Sequence, residues 1–205
     1  MKKYFFILLS LIVLFSACRS SKSVYNRYYM LEIPETASEA LPEGLQVMAG
    51  RLDVREVAVG PAYASHQIAL RDGSHSIRYF TFNEWVQRPS INLTGMLISF
   101  LDNNNVFEVV ETGRQAVEPD YVLKTNVHRM EVVQQRKQFE AFLSVEFVMM
   151  DAAGDRQLFK HSSDRSRILP EKNLNLFAAA VSEFFVEELT AFILTIHDEG
   201  FEKEK

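Results

Sequence analysis

Cys18 is the only cysteine in the 205-residue chain, and the residues before it decide what its sulfur can do. Lys2-Lys3 precede an apolar run from Tyr4 to Phe15, and the small pair Ser16-Ala17 comes next. A basic start, a short apolar stretch and small residues ahead of a cut site make up a secretory signal. With Cys18 directly after the small pair, the pattern resembles a bacterial lipobox. There cleavage falls before the cysteine, whose sulfur and new amino group then carry fatty acyl chains such as palmitate. As a helix the apolar run would reach only about 18 Å, against a hydrocarbon core of about 30 Å, too short for a comfortable permanent span. The expectation is a signal peptide over 1–17 and an acylated Cys18 heading a flexible tether over 18–27. A plain cleaved signal with a free thiol, or an uncleaved anchor, are the alternatives. Two or more acyl chains hold a protein stably at a bilayer, where one holds it only marginally.

The other residues with chemical potential are scattered. His66, His75, His128, His161 and His197 occur singly, and none pairs with another at the i, i+4 spacing of a helical metal site. No glycine-rich phosphate loop, Gly-x-Ser-x-Gly elbow or second cysteine is present. Glu187 and Glu188 are neighbours on a predicted helix, so their side chains diverge and cannot share a proton. The expectation is a chain with no catalytic set, no metal site and no cofactor beyond the lipid on Cys18. The whole chain carries a net charge of −5, and loss of Lys2 and Lys3 takes this to −7. Such a balance gives no long-range attraction to nucleic acid or to anionic lipid headgroups.

Beyond the tether the chain has the size of one domain, expected over 28–197 with a charged tail over 198–205. Tyr28 to Ile33, stopped by Pro34, reads as a first strand. Leu45, Val47 and Ala49 alternate on one face until Gly50, where a bulge or break is expected before Leu52 and Val54. Ile68–Arg71 and Ser76–Phe82 flank Asp72-Gly73-Ser74-His75 and predict a hairpin. Ile77, Tyr79, Phe80 and Phe82 make its second strand apolar on both faces, hence expected centrally in the sheet. Pro89 suits a first helical turn, and Leu93, Met96, Leu97, Phe100 and Leu101 lie at helical spacing after it.

Val106–Val110 reads as a short strand, and three long ones come after Pro119. Phe139, Ala141, Leu143, Val145, Phe147 and Met149 form the clearest inward alternation, and Arg156–Arg167 is polar enough for an edge. Asn173 is the predicted N-cap of a last helix with a stripe from Leu174 to Ile196. Glu183, Glu187 and Glu188 are expected on its wet side. Phe184 and Val186 lie off the stripe, which implies either a wide core contact or a partner-facing surface. Strands, helix, strands, helix give an α/β or α+β domain with a mixed, mostly antiparallel sheet and two main helices.

The order of these features resembles the ABC-type transport auxiliary lipoproteins, the group that includes the paraquat-inducible protein C type. The residues that carry the likeness are Tyr28-Tyr29-Met30-Leu31, Pro61-Ala62-Tyr63 leading into Gln67-Ile68-Ala69-Leu70-Arg71, Tyr79 to Trp85, and the helix after Pro89. The resemblance implies a non-catalytic lipoprotein at the periplasmic side of the outer membrane. Its implied partners are an ABC permease and ATPase and an Mce-type periplasmic protein that carries lipid between the membranes. A homo-oligomer docked on the transporter is the expected form. Tyr63, Trp85 and Arg88, at loop-like positions beside predicted core elements, are the candidate partner contacts. Trp85 could equally be a core aromatic, and Tyr63 could pin a turn. A stand-alone outer-membrane structural lipoprotein and a carrier holding acyl chains between sheet and helix are the rival functions.

Overall fold

A computed structural model describes residues 25–35, 41–42, 44–113 and 118–199. The predicted signal peptide, Cys18, most of the tether and nearly all of the charged tail lie outside the described residues. Nine strands among them form one mixed sheet. Its spine is a long antiparallel ladder of β7 (Tyr121–Gln135), β8 (Gln138–Asp151) and β9 (Gln157–Ile168). One edge of β7 pairs with β8 along its whole length. Three short strands divide the other edge, all parallel to it: β2 (Met48–Val54), β3 (Ala58–Val59) and β4 (Gln67–Asp72). Beyond them, β6 (Phe107–Glu111) pairs with β2, and β5 (Ile77–Trp85) with β4. The three-residue β1 (Arg27–Tyr29) closes the β5 side.

The inward alternation of β8 is realised at every position, since Phe139, Ala141, Leu143, Val145, Phe147 and Met149 are all buried. Helix α2 (Leu174–Asp198) packs across this face. The Asn173 side chain caps it by accepting the Asn175 N–H at 2.9 Å. Phe147 meets Phe185 and Phe192 with ring centroids 5.6 Å apart in both pairs. Phe184 and Val186 are buried too, so the wide-core alternative holds for this helix. Glu188 departs from expectation, being buried rather than on the wet side. The sheet curls far enough round α2 for β9 to reach it. Glu188 accepts from Arg165 at 2.6 Å and lies 2.7 Å from His161, while Arg165 also pairs with Glu187 and Arg167 with Glu183. Hydrogen bonds from His161 and Arg165 outweigh the burial that would raise the Glu188 carboxyl, and hold it below the usual range. These pairs align the edge strand with the helix.

Helix α1 (Pro89–Asn103) begins on the proline and buries the five predicted apolar positions. Three strand expectations change. The first strand leaves the sheet at Tyr29, because the Asn92 side chain brackets the Leu31 backbone, accepting its N–H and donating to its carbonyl, both at 2.9 Å. In β2 the inward residue ahead of the bulge is Met48, with Val47 and Ala49 facing solvent. The bulge itself lies at Gly50, whose φ of +107° suits glycine. Finally, β5 is not a central strand buried on both faces. Its pairing with β4 jumps from Glu84 to Tyr79, and β1 covers only its last three residues, which leaves Tyr79 and Phe82 40% and 44% exposed.

Candidate functional site

The segment that carries the Pro-x-Tyr pattern crosses the face of the sheet opposite α2. It starts at Gly60, whose N–H donates to the Val127 carbonyl at 2.8 Å. A Cβ on Gly60 would come within 2.8 Å of the His128 carbonyl oxygen, so only glycine lets the chain approach β7 this closely. Pro61 then presets the turn, which closes where the Tyr63 N–H donates to the Gly60 carbonyl at 2.8 Å. From β5 the Tyr79 hydroxyl donates to the Ala62 carbonyl at 3.1 Å and latches the turn from above.

Beneath this turn β7 carries an irregularity between Val127 and Arg129. Before it, Leu123, Thr125 and Val127 stand opposite the inward residues of β8; after it, Met130 and Val132 do. The extra residue therefore switches which side chains point away from α2, and Glu131 is delivered to the outer face opposite Phe142. Glu131 is fully buried there. Its Oε1 accepts from the Arg71 guanidinium at 2.6 Å and from Arg129 at 2.5 Å, and its Oε2 accepts the Tyr63 hydroxyl at 2.7 Å. Arg71 also donates to the Tyr63 hydroxyl oxygen at 3.1 Å. Arg129 lies over the Phe142 ring, 4.1 Å from its centroid.

Burial alone would raise the Glu131 carboxyl, but hydrogen bonds from Arg71, Arg129 and Tyr63 outweigh it and hold the group below the ordinary carboxylate range. The Tyr63 hydroxyl is shifted upward, first by burial and then by its bond to Glu131. Glu131 is thus anionic and Tyr63 a neutral donor at neutral pH. Both carboxylate oxygens are occupied by internal donors, and the arrangement acts as a clasp between the turn, β4 and β7.

Tyr63 is 5% exposed, and Trp85, at the end of β5, is 3% exposed. The indole lies on the α2 side, with its ring centroid 5.8 Å from that of Phe177. The two aromatics thus occupy opposite faces of the sheet, joined through His66. Its carbonyl accepts the Trp85 N–H at 2.7 Å, and its ring Nδ1 sits 3.0 Å from the Trp85 carbonyl oxygen. Arg88 is exposed at the N-cap of α1, where its carbonyl accepts the N–H groups of Ile91 and Asn92. Of the three candidate contacts, only Arg88 presents its side chain to solvent. Cys18 lies outside the described residues.

Glu131 and Arg129 carry no motif that marks them in the sequence. The available signal is one acidic residue in the run Met130-Glu131-Val132-Val133, where a charge inside an apolar strand needs a partner. Among the described residues no group of three or more His, Cys, Asp and Glu could hold a metal ion, and no helix is long and apolar enough to cross a membrane.

The fold has solved counterparts. A Xanthomonas campestris protein assigned to the DUF330 family superposes with a TM-score of 0.69 at 14% identity, covering 82% of this chain and 92% of its own. A second solved protein, uncharacterised, gives 0.62 at 14% identity over 83% and 98%. No curated protein sequence matches the chain. The family model described as the ABC-type transport auxiliary lipoprotein component matches residues 29–193, from the end of β1 to the last turns of α2, and the chain belongs to that family.

Proposed function

We propose that this chain is a non-catalytic auxiliary subunit of an ABC/Mce-type transporter that moves lipid between the inner and outer membranes. In this reading Cys18 carries the acyl chains, and the domain stands on the periplasmic side of the outer membrane. There it docks, as a homo-oligomer, on the periplasm-spanning Mce-type protein served by the permease and ATPase. The observation that carries the proposal is the family match across 29–193, which spans nearly the whole described body.

The Glu131 clasp supports a scaffold rather than a reaction centre, because the carboxylate is fully buried and both of its oxygens are bonded to internal donors. Tyr63 and Trp85 then serve docking from below the surface, by fixing the turn and the start of α1 beside which Arg88 is exposed. The carrier alternative needs room between sheet and helix, and there Phe147, Phe185 and Phe192 are in ring contact. The test is co-purification of the acylated, tagged protein from mild detergent. Recovery of permease, ATPase and Mce-type components is expected, and their absence after membrane-wide cross-linking would refute the reading. Cys18→Ala should leave thermal unfolding of the signal-free domain unchanged while abolishing membrane retention and transport.

A further inference from the structure

The exposed apolar side chains are not spread evenly. Tyr25, Tyr28, Met30, Val86 and Ile91 are five of the nine large ones exposed among the described residues, Tyr25 and Tyr28 at 79% and 60%. They lie together by connectivity. Tyr28 and Met30 alternate with the buried Tyr29 and Leu31, so both point outward. The Val86 N–H donates to the Tyr29 carbonyl at 2.8 Å, and Asn92, the neighbour of Ile91, clamps Leu31. The exposed Arg27, Arg88 and Glu32 border the same strip, and Glu84 stands beside Tyr28 in the β1–β5 register. A shallow groove of about 410 Å³ runs from Tyr28 and Met30 toward α2 and has Glu32, Glu35 and Glu183 along it, so the basic groups lie at its tether end.

Two further facts indicate what covers this strip. The first is reach. Tyr25 is seven residues from Cys18, at most about 23 Å of fully extended chain at ~3.3 Å per residue. A bilayer that holds acyl chains on Cys18 therefore lies within reach of this face at a high effective concentration, and a small patch suffices to engage it. The second is charge. From Cys18 to Leu31 the chain carries Arg19, Lys22 and Arg27 and no acidic residue, so the basic charge is concentrated in the tether next to the anchor, ahead of Glu32 and Glu35, and the remaining mature chain holds a net −10. Basic residues beside an anchor are drawn to anionic headgroups. Tyrosine favours the boundary between headgroups and acyl chains, and an arginine can lay its stem on apolar surface with its head in water. By contrast, the solvent side of β9, at another edge of the sheet, displays Lys160, Ser162, Asp164 and Ser166.

We propose that the strip formed by Tyr28, Met30, Val86 and Ile91, bordered by Arg27 and Arg88, rests on the anionic bilayer that holds the anchor and so fixes the orientation of the domain. The proposal rests on acylation of Cys18 and adds a second, non-covalent contact with the same membrane. It sets the orientation in which the rest of the domain is presented to other proteins.

The test uses the mature, acylated protein in vesicles of phosphatidylethanolamine and phosphatidylglycerol. With Cys18 acylated, Met30→Cys provides a single free thiol for an environment-sensitive fluorophore, and Ser162→Cys on β9 provides the comparison site. Nitroxide-bearing lipid should quench the label at position 30 about threefold more than that at 162. Arg27→Glu combined with Arg88→Glu should remove most of that difference without releasing the protein from vesicles. Equal, weak quenching at both sites on protein that floats with the vesicles overturns the proposal and leaves the anchor standing. Protein that does not float overturns the anchor and the proposal together. A label at position 30 that is shielded in detergent as protein concentration rises, and not quenched by lipid, assigns the strip to a second copy instead.

Discussion

The two faces of the β7–β8 ladder are held by different forces. On the inner face α2 buries rings and branched chains whose attraction is non-directional, so shape matters more than the exact atoms. On the outer face one carboxylate organises two guanidinium groups and a phenol, and each bond requires a particular atom at a particular angle. The inner face therefore sets how stable the domain is. The outer face sets where one turn lies, and a buried ionic group of this kind contributes more to position than to net stability.

Substitutions should separate the two. The largest loss is expected from Phe185→Ala, which empties the space between α2 and Phe147; urea unfolding of the signal-free domain should show a deficit of about 3–5 kcal/mol. Glu131→Gln should cost about 3 kcal/mol, at the lower end for a broken buried pair because the half-exposed Arg129 can turn to water. It should also alter the acid limb. The folded-state carboxyl lies below its ordinary value of 4.5, so its contribution is complete above that pH and is lost as pH falls through the depressed folded value. Wild-type stability should thus decline more steeply below 4.5 than that of Glu131→Gln, and parallel acid limbs would show that the clasp is not ionic.

Tyr63→Phe removes the donation to Glu131 and the acceptance from Arg71, both to charged groups, and should cost about 2 kcal/mol. Its distinguishing readout is faster amide exchange in the turn at 60–66, with α2 unaffected. Met149→Leu, on the inner face, keeps volume and apolarity and should cost less than about 1 kcal/mol. A larger loss from Met149→Leu than from Tyr63→Phe would reverse the contrast between the faces.

The same contrast explains what can be read from the sequence. The inward side of β8 is apolar at every second residue from Phe139 to Met149, so those residues are legible one by one although Phe142 and Val148 between them are apolar too. The two helices are equally plain from Pro89, Asn173 and their apolar spacing. β5 misleads because residues 80–83 break the alternation, and aromatic content alone does not say how many neighbours a strand has. Glu188 misleads because a helix position is wet or dry according to what curls round it, here β9. Glu131 is hidden by the irregularity at His128, which reverses the facing of every later residue of β7. Arg71 stands within the Pro-x-Tyr pattern as written, but its partner lies 60 positions away, a separation that local spacing cannot bridge.

The divided edge of β7 also orders the events of folding. β7, β8 and β9 succeed one another through tight turns and can zip together locally, whereas β2, β3 and β4 must bring back segments made more than sixty residues earlier. A chain delivered N-terminus first, from a ribosome or through a translocation channel, thus emerges with its leading strands complete in sequence but without their template. Until Tyr121–Gln135 arrives, that half of the protein can form only separate pairings, such as β4 with β5 and β2 with β6, and stays open to chaperones and proteases.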